Sequence, residues 1–258
     1  MKKYLISILS ITLLIIFSSS CSVYEEITLH KNGQMSYTMK FDATELMKMV
    51  PDKKTATSKI SDSIIYVGQM LKDEKMDIIN KYPELNEDIE NVSPIFLRTV
   101  ENGTTGEFHI SLGGEFKDVE EFNKAFRSMA KIAAASKDMD IDVKGMPASD
   151  KSKDMIDWTE HFPDYEWDGK VMKRKIDMSK LTISEDDEEA LTKDPFSDWR
   201  SFFEGGKMTV KYHFPEKVKS INNPNALLSQ DGKTVIIEYP ASVFTTSPQD
   251  ADIEIELE

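Results

Sequence analysis

Four Asx-Gly pairs punctuate this chain: Asn32-Gly33, Asn102-Gly103, Asp168-Gly169 and Asp231-Gly232. Both residues of such a pair accept the positive φ that a two-residue type I′ turn demands, so each marks a hairpin wherever its flanks alternate. The flanks agree. Ile27 and Leu29 lead into the first turn, and Met35, Tyr37, Met39 and Phe41 leave it. Phe96 and Leu97 precede the second, with Phe108, Ile110 and Leu112 after it, while Val235, Ile237 and Tyr239 follow the fourth. At the third, Tyr165 and Trp167 enter but Val171 and Ile176 leave on opposite parities, which a bulge or an edge strand accounts for. Further strands are expected at 23–30, 208–214, 218–221 and 253–257. The last sets Ile253, Ile255 and Leu257 against Asp252, Glu254 and Glu256, one face buried and one wet.

Two stretches carry a helical period instead. Ile60, Ile64, Val67 and Leu71 step by four, three and four, with the pattern resuming at Ile78. Val119, Phe122, Phe126, Met129 and Ala133 step by three, four, three and four, behind an acidic opening at Asp118, Glu120 and Glu121 that suits a helix N-terminus. A short helix is expected over 43–49, capped by Asp42 and stopped by Pro51. Residues 137–161 and 184–194 read as irregular, and the strands beyond 206 have no helix of their own to cover them. The expected fold is therefore α+β, a single domain with an antiparallel β-sheet built from hairpins and two main helices packed on it.

The first twenty residues are of another kind. Lys2 and Lys3 are followed by an uncharged stretch over 4–17, 14 residues long, against the roughly 20 that a membrane-crossing helix needs. That is a signal-peptide pattern. Ser18, Ser19 and Ser20 then lead directly into Cys21, the sole cysteine of the 258-residue chain. Small residues before a cysteine at this place resemble the lipobox of bacterial lipoproteins, with Ser18 standing where leucine is more usual. In that class the cysteine thiol receives a diacylglyceryl group and becomes residue one. The resemblance divides the chain into a lipoprotein signal peptide, 1–20, and an exported domain, 21–258, with Cys21 as the lipidation site. A lone cysteine cannot form an internal disulfide, and lipidation explains both its number and its position. Two or three acyl chains on Cys21 suffice for stable anchoring, so the membrane is the first expected partner. Ser22 follows Cys21 where aspartate favours inner-membrane retention in enteric bacteria, which points to the outer membrane. Glu25 and Glu26 resemble the acidic surface-export signal of some Bacteroidota lipoproteins, or else form the solvent-facing side of the first strand.

Without Lys2 and Lys3, 30 basic residues face 46 acidic ones, a net charge of −16. Such a chain repels nucleic acid, and no nucleic-acid partner is expected. No Gly-x-Ser-x-Gly, His-Glu-x-x-His or phosphate-binding glycine loop occurs, so no enzyme activity, catalytic residue or cofactor is expected. His30, His109, His161 and His213 share no metal-ligand spacing. Asp138, Asp140 and Asp142 open like a calcium loop, but Val143 and Ser149 stand where glycine and a bidentate glutamate belong. The run from Glu185 to Glu189 reads as a solvated face, and no metal is expected. Lys170, Lys173, Arg174 and Lys175 form one basic run, read as a solvent-facing strand whose lysines block edge pairing. Trp158, Phe162, Tyr165, Trp167, Phe196, Trp199, Phe202 and Phe203 are expected to be mainly core, with Phe202 and Phe203 ahead of Gly205-Gly206 as candidates for a pocket mouth.

A wider resemblance lies at the two ends of the exported part. Phe214-Pro215, Val218, Asn222-Asn223, the Asp231-Gly232-Lys233-Thr234-Val235 hairpin and Tyr239-Pro240, together with the opening strand, Asn-Gly turn and strand, are similar to LppM-like domains and to Bacteroidota outer-membrane lipoproteins. The resemblance implies an exported α+β domain with affinity for lipids or glycolipids, and carries over no catalytic residue. Three functions are open: a non-enzymatic envelope binding or structural module whose partner is an envelope protein or lipid, a lipid or glycolipid carrier with an interior cavity, and an unrecognised hydrolase.

Overall fold

The computed structural model describes residues 22–42, 44, 60–74, 82–137, 162–176, 206–243 and 247–258. The Asn32-Gly33 turn closes β1 (Ser22–Leu29) onto β2 (Met35–Asp42), with Leu29 opposite Met35. Gly33 takes φ 86° and donates its N–H to His30 O at 3.0 Å, as that turn requires.

The next segment corrects the sequence reading. Ile60–Tyr66 is a strand, β3, and the helix α1 begins only after it, with Val67–Glu74 described. Ile60 and Ile64 are four apart, an even number, so they share a face in a strand as well as in a helix. The β-branched and aromatic residues of Ile64-Ile65-Tyr66 suit a strand, and pairing decides for it: β3 runs antiparallel to β4 (Ile95–Asn102) from Ile60↔Asn102 to Tyr66↔Phe96. The expected resumption at Ile78 lies outside the described residues, as does 43–49 apart from Thr44. Asp42 Oδ1 does accept the Thr44 N–H at 3.0 Å.

A 3-10 turn over Pro83–Leu85 and a short helix α2 (Asn86–Asn91) precede β4, and β5 (Glu107–Phe116) follows it. Here the loop is longer than a two-residue turn. The positive φ falls on Gly106, at 76°, while Asn102 Oδ1 accepts the N–H groups of Thr104 and Thr105 at 3.0 and 3.3 Å. Asn102 therefore acts through its side chain, as an Asx turn. The long helix α3 (Val119–Lys137) matches its expected stripe, with Val119, Phe122 and Phe126 buried. Its start is held twice, because Glu121 N–H donates to Asp118 Oδ1 at 2.7 Å and Glu121 Oε2 accepts from Lys117 N–H at 2.6 Å. Among the described residues, one long helix and two short ones thus stand where two main helices are expected.

Residues 164–175 form the hairpin β6 (Asp164–Trp167) and β7 (Val171–Lys175), with Tyr165↔Arg174 and Trp167↔Met172 in register. The parity break resolves because Met172, Arg174 and Ile176, not Val171, are the buried residues of the outgoing strand, and β6 is indeed an edge. Then come β8 (Lys207–His213), β9 (Val218–Ile221), β10 (Leu227–Leu228), β11 (Thr234–Pro240) and β12 (Ile253–Leu257). They complete an eight-stranded sheet, β10-β11-β8-β1-β2-β5-β4-β3, and a four-stranded one, β6-β7-β12-β9.

The expectation of a purely antiparallel sheet is also corrected. β1 and β8 run parallel, from Ser22↔Lys207 to Thr28↔His213, so the larger sheet is mixed. This joint sews the C-terminal hairpin to the N-terminal one across the chain. One buried cluster spans both sheets and α3. At its centre Tyr37 stacks obliquely on Phe122 at 5.0 Å, Phe122 meets Tyr165 edge-on at 5.3 Å, and Phe126 meets Phe162 at 4.3 Å, spacings typical of aromatic pairs.

Candidate functional site

Cys21 itself lies outside the described residues, but the chain beyond it is defined from the next position. β1 begins at Ser22 and runs between β8 and β2. From there the register crosses the sheet in level rows. Val23 faces Phe41, Phe41 faces Ile110, Ile110 faces Thr99, and Thr99 faces Ser63. The β4–β5 hairpin tip and the start of β3 therefore project at the same end of the sheet as the entry of β1.

Two residues along from this entry, Glu25 points inward. It shares parity with Val23, Ile27 and Leu29 and is 1% exposed, so the expected solvent-facing place holds for Glu26 and gives way to a place in the core for Glu25. Its partner is Arg174, 2% exposed, whose Nη2 stands 3.8 Å from Glu25 Oε2. Tyr165 joins them: its hydroxyl donates to Glu25 Oε1 at 3.1 Å and accepts from Arg174 Nε at 3.3 Å. Arg174 Nη1 also donates to Ala251 O at 2.9 Å, and Asn123 of α3 clamps the Tyr165 backbone through both its N–H and its carbonyl, at 3.0 and 2.7 Å.

Among the described residues, the hydroxyls of Tyr37 and Tyr212 and Glu25 Oε2 are buried without a hydrogen bond of good geometry, although the Tyr37 hydroxyl lies close enough to the Glu25 carboxylate to feel it. Burial pushes the phenols of Tyr37, Tyr165 and Tyr212 well above their ordinary range, and the Glu25 carboxylate adds to this in each case. Burial works against the Arg174 guanidinium, but Tyr165 and Glu25 overcome it and raise its pKa. The cluster is thus a pinned charge pair between the two sheets, its carboxylate and guanidinium both almost wholly buried.

Arg174 corrects the reading of the basic run. β7 lies between β6 and β12 and is not an edge, and only Lys170, Lys173 and Lys175 face outward, with Lys173 near Glu254 at 3.4 Å and Lys175 near Glu166 at 3.6 Å. Three of the histidines are described and stand apart. His30 meets Ser36 at 3.0 Å, His109 lies 3.5 Å from Asp42, and His213 bridges Glu26 at 2.7 Å and Thr234 at 3.1 Å. Among the described residues no group of three or more His, Cys, Asp or Glu side chains is placed to hold a metal. Ser128 donates to Asp88 at 2.6 Å with Lys131 at 3.3 Å, but both Ser128 and Asp88 are buried between α2 and α3 and tie those helices together. A groove of about 530 Å³ runs between α3 and β6, lined in part by Val119, Asn123, Lys124, Arg127 and Trp167. Its two cations are engaged, Lys124 with Glu87 at 2.8 Å and Arg127 with Asp164 at 2.7 Å. Of the expected aromatic group, Phe162, Tyr165 and Trp167 belong to or pack on the core. His161, Trp158, Phe196, Trp199, Phe202, Phe203, the Asp138–Asp142 alternation and the Glu185–Glu189 run lie outside the described residues. Among the described residues no helix is long and apolar enough to cross a membrane.

No protein-family model matches the chain, and no curated protein matches it. Among solved structures it is similar to the NMR structure of the folded domain of LppM from Mycobacterium tuberculosis, with a TM-score of 0.40 and 7% identity over 93% of this chain and 90% of that one. The likeness is loose and carries no residue over to this chain. A Bacteroidota source has no support in these comparisons.

Proposed function

We propose that the protein is a bacterial lipoprotein, acylated at Cys21, held at the outer membrane, and acting as a non-enzymatic binding or structural module of the envelope. One observation carries the reading: the lipobox-like Ser18-Ser19-Ser20-Cys21 stands directly before Ser22, which already belongs to β1. A signal peptide cut before Cys21 would release a chain whose acylated first residue adjoins a central strand, with no linker between them. The carrier reading draws less support, because the described space between the sheets is filled by aromatic rings and by Glu25 and Arg174. The hydrolase reading draws less again, because the carboxylates of Glu25 and Asp88 are both buried and engaged.

The test is metabolic labelling with a fatty acid in a bacterial host. The wild-type protein is expected to take up label, and Cys21→Ala to take up none and to accumulate as the larger precursor. Undiminished labelling of Cys21→Ala would overturn the assignment.

A further inference from the structure

The outward side of the eight-stranded sheet is unusual near the entry of β1. Tyr24, Lys40, Ser111, Arg98 and Ile64 form one continuous row on that side, spanning four strand spacings, or about 19 Å. Both ends of the row are exposed and apolar or aromatic, Tyr24 at 44% and Ile64 at 54%. On β3 the same face adds Ile60 at 64% and Tyr66 at 49%. Partly exposed Phe96 and Val100 on β4 continue it, with Tyr66 and Phe96 meeting edge-on at 6.4 Å. Gly113 makes room for this arrangement, since a Cβ there would stand 2.9 Å from Phe96 Cζ.

We propose that this face, from Tyr24 across to the edge strand β3, lies against the bilayer that holds the acyl chains of Cys21; the inference rests on the anchored reading above. Four arguments converge. The tether is short: Tyr24 is three residues from Cys21, at most about 10 Å of extended chain. The patch is at the right end of the sheet, because Ser63 is level with Val23 by register and Ile60 lies three residues further toward the anchored end, about 10 Å.

The composition is also interfacial. Aromatic and aliphatic side chains alternate with Lys40, whose stem can lie on apolar surface while its charge reaches a phosphate group, and with Arg98, whose charge is already paired with Asp62 on the same face. Finally, Tyr24, Ile60, Ile64 and Tyr66 gather on one face, with Ile65, 42% exposed, on the reverse of β3, whereas Leu227 and Leu228 on β10 sit at the opposite edge and point to opposite sides of the sheet. Because the domain is strongly acidic, the contact is apolar in the main and persists in salt.

The experiment uses full-length acylated protein reconstituted into phosphatidylcholine vesicles that contain nitroxide-headgroup lipid. Cys21 is the only native cysteine and its sulfur is occupied by the anchor, so an introduced cysteine takes a fluorophore uniquely. Labels are placed at Ile64→Cys, at Tyr66→Cys as an independent position on the same face, and at Lys31→Cys, in the β1–β2 turn at the far end of the sheet. Quenching at 64 and 66 is expected to exceed that at 31 several-fold, and to survive 1 M salt, where the Debye length is about 3 Å. Protein that floats with the vesicles but is quenched equally at all three positions, or most at 31, overturns the membrane contact and leaves the anchor standing. So does floating protein in which β3 cross-links to β3 of a second copy instead. Protein that does not float overturns the anchored reading and the contact together.

Discussion

Two arginine–carboxylate pairs in this molecule invert the usual ranking by distance. Arg98 grips Asp62 through two hydrogen bonds, Nε to Oδ1 at 2.9 Å and Nη2 to Oδ2 at 2.7 Å, with both side chains nearly half exposed. Arg174 stands 3.8 Å from Glu25, with both side chains almost wholly buried. The first has the better geometry and matters less, because water screens the pair and hydrates either partner alone. The second has no such alternative: in the space between the sheets, an unpartnered carboxylate would keep its full desolvation penalty. Burial, not separation, decides what each pair does for the fold.

The largest effect that tests this contrast is removal of the buried cation. Arg174→Met leaves Glu25 uncompensated and is expected to cost about 3–5 kcal/mol in urea unfolding. Glu25→Leu combined with Arg174→Met is expected to restore most of that loss, because two apolar side chains replace the pair. A double variant no better than the single one would mean that the pair, rather than the stranded charge, holds the sheets together.

An alkaline titration probes the same cluster from its phenols. Tyr37, Tyr165 and Tyr212 have folded-state pKa values raised chiefly by burial. The folded protein therefore keeps protons that the unfolded chain releases above about pH 10. Stability from this source is complete below that pH and falls as pH rises through it, by about 1.4 kcal/mol per pH unit for each phenol. Absorbance at 295 nm is expected to show these three phenols ionising only with unfolding; free titration ahead of unfolding would break the picture of a closed interior.

At the bottom of the scale, Asp62→Asn is expected to leave the unfolding midpoint at neutral pH unchanged within error. Hydrogen bonding from Arg98 holds the Asp62 carboxyl below its ordinary value. Any contribution is accordingly present above about pH 4 and lost as pH falls below it. A clear loss at pH 7 would show that β3 is more tightly bound into the sheet than its exposure indicates.

Part of the buried site is legible in the sequence alone. Glu25 shares parity with Val23, Ile27 and Leu29, and Arg174 with Met172 and Ile176, so each is a charge on an apolar face. The signal is present in the alternation but is masked by stronger patterns, the acidic pair behind the cysteine and the basic run at 170–175. That these two charges meet is not legible, since about 150 positions separate them and one sequence carries no record of contact.

Local chemistry determined the hairpins and the helix α3, because turn conformation and helical period each depend on neighbours within a few residues. The strand β3, the parallel joint of β1 with β8 and the Glu25–Arg174 pin were decided only in the tertiary structure. A four-residue spacing satisfies strand and helix alike, and strand direction and charge pairing depend on which distant segments share a core.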